Sequence, residues 1–173
     1  MDDTHKFKQF TTQLECETFL NKEAELLDDN RLHEWLELLT EDIEYQIPRR
    51  VTRERGAKQS EFSDDGFLYR DNYGTLKTRV QRYDREYAWA ENPPSRTRRF
   101  VTNVRIIEEV DNSFTVKSNL LFYRNQGDTT NHDLIACERE DTLRRIENDL
   151  KLAERTVYLD QTIAPTRNIS FFL

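Results

Sequence analysis

The feature that most constrains the fold is a change in hydrophobic spacing part-way along the chain. Up to Tyr83, apart from one alternating stretch at residues 43–47, apolar residues recur every three or four positions, as on one face of a helix. From Phe100 onward they alternate with polar residues, as in half-buried strands. Helices followed by a run of strands predict an α+β domain, with N-terminal helices packed on one face of a curved, mainly antiparallel sheet.

The spacing also predicts individual elements. The first helix starts at a capping box formed by Thr12 and Glu15. Its apolar face carries Cys16, Phe19, Leu20, Ala24 and Leu27. The apolar face of the second helix carries Leu32, Trp35, Leu36 and Leu39. The first strand carries Ile43, Tyr45 and Ile47 and is predicted to stop at Pro48. The third helix is predicted to be capped by Asp71 or Asn72, and its apolar face carries Tyr73, Leu76, Val80 and Tyr83. Four more strands are predicted at residues 100–110, 114–123, 133–145 and 150–163.

Length and charge limit the class of protein. The 173 residues predict a single domain, residues 1–173, in which residues 1–10 form a loose N-terminal arm. A net charge of -7 argues against nucleic-acid and anionic-membrane partners. No stretch approaches the ~20 apolar residues of a membrane helix, and the start has no apolar leader, so a cytoplasmic protein is expected. Cys16 and Cys137 are predicted to be buried free thiols.

Residues 89–104 combine three signals. Pro93 and Pro94 impose an extended backbone, three arginines follow, and a strand begins at Phe100. A rigid entry and a dense positive patch favour a contact surface, since Trp and Arg are enriched where subunits meet. The predicted interface residues are Trp89, Asn92, Pro93, Arg96, Arg98 and Arg99. No base, nucleophile or metal ligand lies among them.

The same stretch, Trp-Ala-Glu-Asn-Pro-Pro-Ser-Arg-Thr-Arg-Arg followed by Val-Thr-Asn-Val, resembles the small (β) subunits of bacterial aromatic-ring-hydroxylating dioxygenases. Residues 23–28 with Trp35, residues 42–49, and the ending from Leu159 to Leu173 agree with the same family in the same order. The resemblance therefore covers nearly the whole chain.

The resemblance implies a cone-shaped, cystatin-like fold, shared with nuclear transport factor and ketosteroid isomerase. It also implies a non-catalytic structural role in a hexamer of three large and three small subunits, acting in aromatic-compound catabolism. In this family a Rieske [2Fe-2S] cluster and a mononuclear Fe(II) belong to the large (α) subunit, and electrons come from NAD(P)H. The residues agree, because three histidines without a Cys-x-His pair cannot build either centre.

A second hypothesis is a stand-alone isomerase or dehydratase with the same cone fold. Asp42, Tyr45 and His132 are the available acid-base groups. Asp42 and Tyr45, however, fall on opposite faces of one strand, so they do not point into one pocket. A third possibility is an assembly or transport adaptor without an enzymatic partner.

Several charges interrupt apolar alternations near the end of the chain. Arg139 and Asp141 share the face of Ile135, and Arg155 shares the face of Val157. A buried charge is costly unless it is paired. The two open explanations are a salt bridge across adjacent strands and a face that meets another subunit. The final Phe-Phe-Leu is expected to be tucked into this domain or against a neighbour.

Overall fold

The computed structural model describes residues 3–90, 94–128, 130–162 and 171–173 of the chain, with the side chains of residues 85–90 excepted. Its elements are α1 (Asp3–Asp28), α2 (Leu32–Glu37), β1 (Leu39–Arg50), β2 (Phe62–Asn72), α3 (Tyr73–Ala90), β3 (Arg96–Val110), β4 (Ser113–Asn125), β5 (His132–Ile146) and β6 (Asp149–Leu159). The predicted α+β class is confirmed, with the helices on one face of a curved sheet.

The six strands form one sheet in the order β2-β1-β6-β5-β4-β3. All neighbouring pairs are antiparallel except β1 and β6, which run parallel. The predicted turn after β3 is confirmed at Asp111 and Asn112, which have φ values of 46° and 65°. A two-residue hairpin whose twist matches its strands needs positive φ at both central positions, and Asp and Asn tolerate it best among non-glycine residues. The last four strands therefore form a continuous meander.

Helix α1 buries the predicted face, with Cys16, Phe19, Leu20, Ala24 and Leu27 all in the core. It begins at Asp3, so the predicted start at Thr12 was wrong, and residues 3–10 are helical instead of a loose arm. The Thr12 hydroxyl donates to the Lys8 carbonyl inside the helix. The first turns gave no periodic signal because their side chains are exposed and pack on no core.

Strand β1 does not stop at Pro48, as predicted, but continues to Arg50. Pro48 lies at an irregularity, where the pairing with β2 shifts on both sides of it. A bulge tolerates proline because the missing N–H leaves no ladder hydrogen bond unmade. Strand β2 was not predicted, since it is a half-exposed edge strand whose Asp64, Asp65 and Gly66 hide the alternation.

Helix α3 starts where the sequence predicted. The Asn72 side chain accepts a hydrogen bond from the Thr75 amide at 3.0 Å, and the Thr75 hydroxyl accepts one from the Asn72 amide at 2.9 Å. This reciprocal pair satisfies two backbone donors at the helix end. Leu76 and Val80 are fully buried beneath the helix. None of the described helices is long and apolar enough to cross a membrane.

Candidate functional site

A cluster of ionised side chains lies in the interior, the space between the helices and the sheet face that they cover. Arg155 is fully buried and forms two bidentate ion pairs. Its guanidinium donates to Asp141 at 2.7 and 2.8 Å, and to Glu23 at 2.7 and 2.8 Å. Arg139 lies 3.6 Å from Glu23 and donates to the Ser118 hydroxyl at 3.2 Å. Two carboxylates therefore face two guanidiniums, away from solvent.

The strand register produces this cluster. Asp141 of β5 and Arg155 of β6 are direct cross-strand partners, and both point inward. The first of the two open explanations, a salt bridge across adjacent strands, is confirmed for this pair. Glu23 was missed, although it recurs with Cys16, Leu20 and Leu27 on the buried face of α1. An acidic residue at a core position of a helix was the available signal.

The charges inside the cluster fix its protonation. Burial alone would raise the pKa of Glu23, but the charges of Arg155 and Arg139 outweigh it and hold the pKa below its usual value. For Arg155, burial opposes the charged form, yet Asp141 and Glu23 raise its pKa well above the usual range. A carboxylate held ionised by two arginines is a poor proton donor or acceptor near neutral pH. The cluster is suited to holding the structure together.

The interior is filled by residues 171–173. Phe172 and Leu173 are buried, so the predicted tucking of the Phe-Phe-Leu end into this domain is confirmed. The Phe172 ring stacks on Trp35, with ring centroids 4.4 Å apart. The cavity beside Phe171 and Phe172 measures about 30 Å³. Pockets for small molecules usually measure about 300–1,000 Å³, so this cavity has no room for a substrate.

The three acid-base residues of the second hypothesis do not converge. Asp42 is exposed, and both its oxygens accept from Arg144 at 3.0 Å. Hydrogen bonds from Thr40 and Arg144 keep the pKa of Asp42 below its usual value. Tyr45 is buried on the other side of the sheet, where its hydroxyl bonds to Leu173. His132 is exposed at the start of β5.

The arginine cluster (Arg96, Arg98 and Arg99) is split between the two faces of β3. Arg99 points inward, where it pairs with Asp28 at 2.5 Å and its side chain is 3% exposed. Burial lowers the pKa of Arg99, and Asp28 partly offsets this effect. Arg99 is therefore engaged inside the chain, contrary to its predicted place at a contact surface. Arg96 and Arg98 are exposed.

The other predicted interface residues lie at the end of α3 and beyond it. Trp89 belongs to the last turn of α3, and its side chain lies outside the described residues. Asn92 and Pro93 lie outside the described residues altogether. Arg96 donates to the Asn125 side chain at 2.8 Å and to the Gly127 carbonyl at 2.7 Å.

No group of three His, Cys, Asp or Glu side chains is placed to hold a metal ion within residues 3–84, 94–128, 130–162 and 171–173. Cys16 and Cys137 are buried, as predicted. Burial raises the pKa of both thiols to about 12, which keeps them protonated and poor ligands.

Residues 22–165 match the family model described as the ring hydroxylating beta subunit. The chain belongs to the family of ring-hydroxylating β subunits. It is 38% identical over 165 residues to the β subunit of biphenyl 2,3-dioxygenase from Rhodococcus jostii, a match that covers 92% of this chain and 88% of that one. It is equally similar to the β subunit of benzene 1,2-dioxygenase from Pseudomonas putida, with the same coverage.

Solved structures agree with this β-subunit family. The chain superposes on naphthalene 1,2-dioxygenase with indole bound in its active site at a TM-score of 0.83 and 29% identity, covering 99% of this chain and 93% of that chain. The β subunit of benzoate 1,2-dioxygenase from Burkholderia mallei matches at a TM-score of 0.73 and 22% identity, covering 91% of this chain and 95% of that chain, which supports the fold. The predicted cone-shaped fold is confirmed.

Proposed function

We propose that this chain is the non-catalytic small subunit of a bacterial aromatic-ring-hydroxylating dioxygenase, an oxidoreductase complex of aromatic-compound catabolism. The observation that carries the proposal is the β-subunit family match over residues 22–165. The packing of the interior supports it, because the ion pairs and the 171–173 segment leave a cavity of only about 30 Å³ beside Phe171 and Phe172 among the described residues. The chain acts by stabilising an assembly.

A β subunit requires a large α subunit as its partner. We propose that three large and three small subunits form a hexamer, and that the α subunit holds the Rieske [2Fe-2S] cluster and the mononuclear Fe(II). The complex would insert both atoms of O2 into an aromatic ring, using electrons that originate from NAD(P)H. The complex is expected in the cytoplasm, and the whole chain, residues 1–173, is expected to act in it as one domain.

An apolar patch on the outer sheet face is the best-supported place for a subunit contact. Phe100, Leu121 and Leu134 lie on neighbouring strands and are 51%, 39% and 43% exposed. Arg98 pairs in register with Tyr123 beside them and points to the same face. An apolar centre with an arginine and a tyrosine nearby is typical of interface hot spots. We therefore propose that Arg98 contacts a neighbouring subunit together with this apolar patch.

Charge reversal tests this surface. The Arg98→Glu variant carrying Phe100→Asp is expected to weaken association, seen as a shift from complex to separate subunits on gel filtration. Gln81→Glu together with Arg82→Glu, both exposed on α3, is the matched control because it changes the net charge by the same amount. Arg99 is left intact because its substitution would disturb the interior. If the double variant elutes as the intact complex, the outer patch is not an interface.

The subunit role itself is tested by purifying the tagged chain from its native host. A brown complex that contains a larger partner at near-equal stoichiometry is the expected result, because iron centres in that partner absorb visible light. A colourless homo-oligomer without a companion would favour the stand-alone enzyme or the adaptor.

A further inference from the structure

The main-chain oxygens of three consecutive residues, 171–173, each accept hydrogen bonds from a different arginine. The pairs are Arg79 with Phe171 at 3.3 Å, Arg99 with Phe172 at 2.6 and 3.2 Å, and Arg155 with Leu173 at 3.2 Å. The three arginines come from α3, β3 and β6, so the donors converge on the segment from three elements. Charge-assisted hydrogen bonds of this kind are stronger than neutral ones.

Each of these arginines is held in place by a carboxylate. Arg79 pairs with Asp71 at 2.5 Å, Arg99 with Asp28 at 2.5 Å, and Arg155 with Asp141 at 2.7 Å. The ion pairs neutralise the guanidiniums and fix their direction, so little rotamer freedom is lost when a carbonyl binds. The donors are therefore preorganised for main-chain oxygens.

The aromatic side chains of the segment also pack against aromatic rings and an arginine. Phe172 lies against Trp35, with Arg79 above the Phe172 ring at 4.5 Å. Phe171 stacks on Phe122, with ring centroids 4.4 Å apart. Rings stacked at such distances contribute beyond the area they bury.

The Tyr45 hydroxyl completes the set of contacts. It accepts a hydrogen bond from the Leu173 amide at 2.9 Å and donates one to the Leu173 main-chain oxygen at 3.1 Å. The described contacts of the segment come from residues far away in sequence, as they do for a bound ligand.

We propose that the interior is a peptide-binding site whose resident ligand is the chain's own 171–173 segment. The site recognises successive main-chain oxygens through paired arginines. It also recognises two adjacent aromatic side chains followed by an aliphatic one. It accepts a Phe-Phe-Leu segment supplied as a separate peptide once the resident segment is weakened. This inference does not depend on the proposed subunit role, because the contacts lie within one chain.

The test uses the full chain carrying Phe171→Ala and Phe172→Ala, which removes both rings and leaves the arginines in place. Acetyl-Ser-Phe-Phe-Leu is added, and thermal unfolding is followed by circular dichroism. At a peptide concentration ten times the dissociation constant, the midpoint of the variant is expected to rise by about 3–6 °C. The wild-type chain is the control, and its midpoint stays unchanged because the resident segment occupies the site. Acetyl-Ser-Ala-Ala-Leu is the control peptide and shifts neither protein.

Equal shifts in the variant and in wild type, or no shift in either, would overturn the proposal. If the variant does not unfold cooperatively, the hydrogen-exchange rate of the Leu173 amide in the full-length chain is measured instead. This amide is expected to exchange at least about tenfold faster in Tyr45→Phe than in wild type, because phenylalanine lacks the hydroxyl that accepts its hydrogen bond. The Trp35 indole N–H, which donates to Glu23 at 3.0 Å, should keep its rate. Exchange of the wild-type Leu173 amide at the rate of a free peptide would also overturn the proposal.

Discussion

Replacement of Arg155 by methionine is expected to be among the most destabilising single changes in the chain. Methionine has a similar length but no charge, so the Asp141 and Glu23 carboxylates lose all four short contacts at 2.7–2.8 Å. Arg139, 3.6 Å from Glu23, would be the cation left beside them in the described cluster. Removing one partner from a buried ion pair costs about 3–5 kcal/mol. For a chain of this size that lowers the thermal midpoint by about 6–20 °C.

The loss of stability caused by Arg155→Met should depend on pH, in a direction set by the pKa of Glu23. In wild type the pKa of Glu23 is lowered, so its stabilisation is present above its unfolded pKa and is lost as the pH falls through the folded one. Without Arg155, burial dominates and raises the pKa of Glu23. The variant then gains stability relative to wild type as the pH falls through this raised pKa toward the unfolded value.

The assay is urea unfolding of the full chain, followed by far-ultraviolet circular dichroism at several pH values. Arg144→Met is the matched control. Arg144 forms two hydrogen bonds with the Asp42 carboxylate, and, unlike Arg155 and its partners, both residues are exposed. Exposed pairs contribute about 0–1 kcal/mol. If the two variants lose the same free energy of unfolding, or if the loss at Arg155 does not change with pH, the reasoning about buried charge is refuted.

Three further predictions concern the helix cap, the thiols and the second buried pair. Asn72→Ala should cost about 1 kcal/mol by urea unfolding, since it removes the α3 cap, and an unchanged midpoint would contradict that role. Cys16 and Cys137, with pKa values of about 12, should react with Ellman's reagent only after unfolding, and fast reaction of the folded chain would contradict their burial. Asp28→Asn leaves Arg99 buried without a counter-charge and should lower stability by about 3 kcal/mol in thermal unfolding, a loss that a solvent-facing Arg99 would not show.

The fold could be predicted from the sequence wherever one face of an element packs on the core. The faces of α1 and α3 were predicted because burial imposes a regular spacing. The turn at Asp111 was predicted because Asp and Asn tolerate the positive φ that a tight turn needs. Strand β2 and the first turns of α1 were missed because they are half or fully exposed, so packing leaves no pattern there. Pro48 was misinterpreted as a stop because a bulge cannot be told from a strand end without the partner strand.

The interior could be predicted only in part. Alternation shows that Arg98 and Arg99 point to opposite faces, but not which face the helices cover. The charges at Asp141 and Arg155 indicate either a buried ion pair or a contact surface. Only the register between β5 and β6, which places the two residues opposite each other, distinguishes these explanations. Glu23 reaches them from α1. Its place on the apolar helix face indicates burial, but local spacing does not show which residues it pairs with.

The most direct test of the subunit role is an iron and mass analysis of the native complex. The complex is purified through this chain, weighed by native mass spectrometry, and separated into subunits for iron and acid-labile sulfide assays. The proposed role predicts equal numbers of large and small subunits, with all the iron and sulfide on the large one. Iron that stays with this chain, or a native mass that is a multiple of this chain alone, would contradict it.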